Sequence, residues 1–160
     1  MGGTTVVQWL DWYRTLIVRY KPSAVVLYVG SNDLGVGGLT TGAQNAANTI
    51  LLLKRLKRAL KKTPIFYVGV SPCWSRKGAW EDIAVSNQQV KDFCEKNKYF
   101  YYIDIASACA AADGTPRHEL FLGDQLHPSE AGYVVWEKVV AGTVKKTLRS
   151  LEKAQTKKKS

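Results

Sequence analysis

The sequence predicts an α/β fold, a parallel sheet with helices on both faces. Three observations predict it. Helical and strand-like segments alternate as helix, strand, helix, strand, helix, strand, helix, the order of parallel strands joined by crossover helices. The strand-like segments are short continuous apolar runs, as in strands covered on both faces. The stretches between them repeat apolar residues at three- and four-residue spacing. A length of 160 residues suits one domain with its own core.

Each element follows from local chemistry. Thr4 or Thr5 can cap a first helix reaching about Tyr20, with Val6, Trp9, Leu10, Tyr13, Leu16 and Ile17 on one face. Lys21-Pro22 stops it. Ala24–Val29 is apolar and β-branched, a strand expected to be buried on both faces, and a glycine-rich loop follows to about Leu39. Thr40 or Thr41 opens a long helix ending near Lys62, and Pro64–Val70 is the second buried strand. A helix over about Ala79–Asn97 precedes the third strand, Tyr99–Ile103. Asp104 ends that strand and caps a short helix from Ile105 to about Ala112. The stretch to His127 is irregular. The last helix starts at Pro128 or Ser129 and runs to about Leu151; proline suits a first helical position because its missing donor would be unpaired there. No repeat or linker divides residues 1–151, and residues 152–160 form a basic tail expected to be disordered.

Composition narrows the function classes. A hydrophobic share of 46% and a charged share of 22% are ordinary for a soluble globular protein. No apolar run approaches the roughly 20 residues that span a bilayer. Met1–Thr5 has no basic region leading into an apolar core, the pattern of a secretory leader. Cys73, Cys94 and Cys109 are odd in number and share no metal-ligand spacing. Read as free structural thiols, they favour a reducing, cytoplasmic setting. The formal net charge of +10 gathers in Lys54, Arg55, Lys57, Arg58, Lys61 and Lys62, at helical spacing among leucines, and in the tail with Lys153 and Lys157–Lys159. The first group reads as the solvated face of an amphipathic helix and the second as a frayed terminus. A basic nucleic-acid-associated protein is the alternative this charge leaves open, although no base-reading module accompanies it.

Two short stretches carry chemistry. In Asp124-Gln125-Leu126-His127-Pro128 a carboxylate stands three residues before a histidine, within reach of its Nδ1–H, which leaves Nε2 free to accept a nucleophile's proton. In Gly30-Ser31-Asn32-Asp33 an asparagine follows a buried strand, and its amide can donate to an oxyanion or serve a turn. Gly3 places a backbone N–H at the start of a helix, where negative charge is favoured. In parallel α/β folds such loops gather at the carboxyl ends of the strands.

In their order along the chain, Gly2-Gly3-Thr4-Thr5, Gly30–Asp33 and Asp124–His127 resemble the three later blocks of the SGNH (GDSL-type) esterase and lipase family. Phe121-Leu122 before the last block, and Ala131-Gly132-Tyr133 with Trp136 after it, are similar as well. The resemblance covers nearly the whole chain. It implies a three-layer α/β/α flavodoxin-like sandwich and hydrolysis of carboxylic esters by a Ser-His-Asp mechanism. It makes His127 the general base, Asp124 its orienting acid, and Asn32 and Gly3 oxyanion donors. The partner implied is a small-molecule ester, a small acyl group on a sugar or lipid-like alcohol, with no cofactor and no metal. Specific nucleic-acid binding is not implied, and the oligomeric state is left open.

The family's Gly-Asp-Ser nucleophile block has no counterpart here. The fold is therefore expected to be N-terminally truncated and the chain alone inactive, with an apolar edge and face of the first strand laid open. Ser31, Ser71 and Ser129 are present, but none stands in a nucleophile setting. Trp74 and Trp80 flank the loop Ser75–Gly78 and can wall a substrate pocket or pack that loop on the core. His118 reads as an exposed loop residue. A non-catalytic ester- or carbohydrate-binding module on the same fold is the other alternative.

Overall fold

Three short parallel strands pair side by side in the order β1 (Val25–Leu27), β2 (Ile65–Val68), β3 (Phe100–Ile103), in a computed structural model that describes residues 2–35 and 40–156. Val25 stands opposite Ile65, and Ile65 opposite Phe100. The helices are α1 (Val6–Leu16), α2 (Gly42–Leu60), α3 (Trp80–Lys96), α4 (Ile105–Cys109) and α5 (Glu130–Thr156). Single-turn 3-10 segments occupy Val18–Tyr20 and His118–Leu120, and a longer one Trp74–Ala79.

Two helices begin with the same device. Thr5 accepts the N–H of Gln8 on its hydroxyl while the Gln8 side chain accepts the N–H of Thr5, and Thr41 and Gln44 repeat the exchange. Each such box satisfies two donors that a helix start leaves unpaired. The helix α3 has no side-chain cap and relies on Glu81 and Asp82 in its first turn, where carboxylates complement the helix dipole. Asp104 caps α4, accepting the Ser107 N–H at 3.0 Å.

Alternate residues of each strand face opposite layers. Val25, Leu27, Ile65, Tyr67 and Phe100 pack under α1, α2 and α3 with Val6, Leu52, Leu53 and Leu56. Phe66, Val68 and Ile103 face α4 and α5, against Val135, Trp136, Val139 and Val140. Full burial of each such side chain stabilises by roughly 1.5–3 kcal/mol before ordering costs are subtracted. The resulting three layers are the α/β/α sandwich.

Several expectations are corrected. The first helix stops at Leu16, because Ile17 leaves helical geometry and a 3-10 turn ends on Lys21 in the left-handed region. The short helix stops at Cys109 rather than near Ala112. The last helix starts at Glu130 and runs to Thr156, so residues 152–156 of the expected tail are helical. Residues 157–160 and part of the glycine-rich loop, 36–39, lie outside the described residues. The strand β1 is not covered on both faces. Val26 is 48% and Tyr28 41% exposed, because β1 pairs with β2 alone and α5 reaches only as far as an edge-on contact of Trp136 with Tyr28, 4.8 Å between ring centres.

Candidate active site

The loops at the carboxyl ends of the strands converge on a cavity of about 490 Å³ lined by Gly3, Asn32, Ser31, Ser71, His127 and Trp136, among others. That volume suits a small organic ligand. A groove of about 680 Å³ against β3, and one of about 580 Å³ at the opposite end of the strands, contain none of the motif residues.

Asp124 and His127 meet as the spacing predicts. Oδ2 of Asp124 lies 2.7 Å from Nδ1 of His127, while Oδ1 accepts the backbone N–H groups of Leu126 at 2.9 Å and His127 at 3.0 Å. The carboxylate thus organises the turn and orients the ring with the same group. The His127 carbonyl accepts from Leu122 N at 2.8 Å, tying the turn to the segment ahead of it. With side chains 67% and 47% exposed, the histidine and aspartate attract each other through solvent, so the pair positions the ring more than it stabilises the fold.

The hydrogen bonds from the His127 side chain and from the His127 and Leu126 backbones hold the Asp124 carboxyl down at about 2. A carboxyl depressed below its ordinary 3.8 contributes stability above that value and loses it as pH falls toward about 2. We expect carboxyl-carbon NMR to follow Asp124 titrating near the lower value, with His127→Ala moving it up toward the ordinary one.

Asn32 is fixed from both ends. Its Nδ2 donates to the Thr4 carbonyl at 3.1 Å, and its Oδ1 accepts from Nη2 of Arg76 at 3.0 Å. A guanidinium only donates, so this contact sets which end of the amide is oxygen. One bond to Thr4 uses one N–H of Nδ2 and leaves the second for a ligand. Gly3 lines the same cavity with φ +71°, a conformation glycine adopts without strain. It precedes the capping residue Thr5 by two positions, so its N–H stands outside the first turn of α1, contrary to the expectation that it opens the helix. The helix's own leading donors are already engaged: Val6 N by Asp33 and Gln8 N by Thr5.

Sequence reading missed two residues of this constellation. Asp33, 1% exposed, accepts the Val6 N–H on both carboxylate oxygens at 3.2 and 3.0 Å, joining the glycine block to the asparagine block. Burial pushes its carboxyl up, and the Val6 bond opposes that shift. Its position within a quoted motif was the available signal. Arg76 also donates through Nη1 to the Ser31 carbonyl at 2.5 Å. No local signal marks it, since the contact spans 45 residues of chain. Removing the Asp33 acceptor leaves a buried N–H unpaired. Asp33→Ala should therefore cost about 2 kcal/mol in denaturant unfolding, and Asp33→Asn, which keeps an acceptor, clearly less.

The tryptophans do not wall the cavity. Trp74 donates to the Pro116 carbonyl at 2.8 Å, Trp80 donates to the Cys73 carbonyl at 2.9 Å, and their rings meet edge-on at 5.1 Å. Trp74 also stacks on His118 at 4.5 Å, and His118 Nδ1 lies 2.7 Å from Oε1 of Gln125. The two rings brace the turn that carries His127, and the cavity's aromatic walls are Tyr28, Phe121, Tyr133 and Trp136. Among the serines, Ser129 is structural: its Oγ donates to the Glu119 carbonyl at 2.8 Å and accepts the Gly132 N–H at 3.2 Å. Ser31 and Ser71 line the cavity, and no described serine hydrogen-bonds the His127 ring.

No helix among the described residues is long and apolar enough to cross a membrane. Comparison with solved structures finds the same fold repeatedly. A protein described as an acylhydrolase from Bacteroides fragilis is 24% identical, with a TM-score of 0.79 over 92% of this chain and 73% of its own. A GDSL-like lipase from Bacteroides thetaiotaomicron is 20% identical, with a TM-score of 0.78 over 91% of this chain and 73% of its own. An acetylxylan esterase from Geobacillus stearothermophilus, solved as a catalytic mutant in which a serine is replaced by alanine, is 18% identical, with a TM-score of 0.70 over 86% of this chain and 66% of its own. Comparison with curated proteins finds no match. The sequence profile of one family matches residues 1–135, spanning all three motif blocks. The chain therefore belongs to the GDSL-like lipase/acylhydrolase family.

Proposed function

We propose that this domain hydrolyses carboxylic esters through an acyl-enzyme, with His127 as general base, Asp124 as its orienting acid, and Asn32 with Gly3 as oxyanion donors. The carrying observation is the 2.7 Å contact of Asp124 Oδ2 with His127 Nδ1 at the rim of a cavity that Asn32 and Gly3 also line. With Nδ1–H engaged, Nε2 is the basic nitrogen. A serine hydroxyl passes its proton to Nε2 as its oxygen bonds the ester carbonyl carbon. The oxyanion takes the Asn32 and Gly3 N–H groups. Collapse breaks the bond to the alcohol, which leaves with the proton from His127, and water repeats the cycle on the acyl group.

We place the serine on a segment outside these 160 residues, in a strand pairing with the open edge of β1. Two features support this: the exposure of Val26 on that strand and of Tyr28 just after it, and the lack of a described serine bonded to His127. The acyl group is small and the alcohol a sugar or lipid-like one. The Geobacillus esterase, which acts on acetylxylan, supports the sugar.

Hydrolysis of p-nitrophenyl acetate tests the reading. The chain alone is expected to run near background, equally in wild type and His127→Ala. An intact oxyanion site retains about 10³–10⁴ over water without its triad, and here the strand beside it is open as well. Extension by the upstream coding sequence should restore turnover. A fast rate in the chain alone that collapses in His127→Ala would put the nucleophile within these residues, with Ser31 and Ser71 the first to mutate. An extended protein that binds ester without turning it over would favour the binding-module reading.

A further inference from the structure

Cations gather at one end of the strand axis. In a sheet whose strands all run one way, the loops entering the strands gather at one end and the loops leaving them at the other. The entering loops are cationic. Lys21 precedes β1, Lys61 and Lys62 precede β2, and Lys98 precedes β3, all of them exposed. The last turns of α5 reach the same end, where Leu148, Leu151 and the acid Glu152 flank the Lys61–Pro64 loop, and they add Arg149 and Lys153 on their exposed side. None of these six cations is in a salt bridge among the described residues. The loops at the other end are mixed in sign: Asp104 and Asp124 stand there with Lys77 and with Arg76, which lines the His127 cavity.

Helix dipoles account for cations in the final turns of α2 and α5. They do not account for two backbone positions. Lys21 and Lys61 follow helical segments with φ of +47° and +52°, a conformation that glycine adopts freely and lysine does not. The entry to the third strand passes through the same region on Tyr99, at φ +73°, so all three turns of this pole hold a non-glycine residue there and two of them present a lysine. Between Arg19 and Lys21 stands Tyr20, 68% exposed, its ring 5.2 Å from the Arg19 guanidinium. An exposed aromatic ring among cations is the composition of a protein face seated at a lipid headgroup layer.

We propose that this pole binds an anionic phospholipid surface, with the His127 cavity turned away from the bilayer toward solution. A broad end assembled from three loops and a helix terminus matches a flat charged sheet better than a nucleic-acid groove. Lysine, a compact point charge, suits scattered headgroups, and no array of stacking aromatics accompanies it. The proposal is independent of the catalytic reading, because it uses none of the cavity residues.

Co-sedimentation of the full chain with vesicles tests it. Binding is expected to phosphatidylcholine vesicles containing phosphatidylserine, not to phosphatidylcholine alone, and to fall as salt rises. Each cation at the surface is worth about fivefold in partitioning. Lys61→Gln with Lys62→Gln should therefore weaken binding by about tenfold or more, and Tyr20→Ser should weaken it further. Lys77→Gln with Lys138→Gln removes equal charge away from the pole and should leave binding unchanged, which separates placement from net charge. Equal binding to both vesicle types, or equal loss in the two double variants, would overturn the proposal. So would the lack of vesicle binding by a chain that binds duplex nucleic acid in a salt-dependent way.

Discussion

In the turnover-competent domain, His127→Ala is expected to lower kcat by about 10⁶, and Asp124→Asn by about 10⁴. The difference follows from the geometry. Alanine removes the group proposed to take the nucleophile's proton. Asparagine keeps a side chain of the same shape 2.7 Å from Nδ1 but presents an amide in place of a full carboxylate. The ring is then free to put its proton on Nε2, the wrong tautomer for a base. Because both side chains are open to solvent, either change should move the unfolding midpoint far less than it moves the rate. Initial rates together with denaturant curves check both halves of the expectation. An Asp124→Asn rate close to wild type would mean that some other group orients the ring.

Gly132→Ala is expected to destabilise the fold by about 3 kcal/mol and lower Tm by roughly 10 °C. Gly132 is buried in the first turn of α5, where an added Cβ falls far inside contact distance of the Leu120 carbonyl oxygen. That oxygen is backbone, and it already accepts the Ser129 N–H at 2.9 Å, so it has no free direction in which to retreat. The helix must lift from the segment that carries Asp124 and His127, and activity should fall with stability. Gly123→Ala is the matched control, since a Cβ there meets nothing within 4 Å. Thermal melts of the two variants side by side check the expectation. A Gly132→Ala protein as stable as wild type would show that α5 can shift without cost.

Much of this fold is legible in the sequence. The apolar runs at Ile65–Val68 and Phe100–Ile103 marked strands because burial between two helical layers leaves no polar alternation to confuse the pattern, and the run at Val25–Leu27 marked a third although one face of it lies open. The pairing of Asp124 with His127 was legible because three residues of chain allow few other geometries. Boundaries were less so. Nothing local distinguishes Ile17, where α1 ends, from the apolar residues before it, and the tail beyond Leu151 continues the helix although its composition suggests fraying. Trp74 and Trp80 left two readings open for a related reason: a tryptophan flanking a loop reads the same whether it walls a pocket or, as here, braces a turn.

The sequence by itself determined the fold class, the family and the pairing of Asp124 with His127, since each rests on periodicity, on motifs or on contacts a few residues apart. Only the tertiary structure decided which distant groups complete the site. Asp33 holds Val6 across 27 residues, and Arg76 holds Asn32 across 44. Such contacts have no signature along the chain, because the closure of a long loop is offset by the whole fold and not by the residues that meet. The same holds for the open side of β1 and for the cationic pole. Both are properties of how parallel strands stack their ends, and they exist only once the strands are side by side.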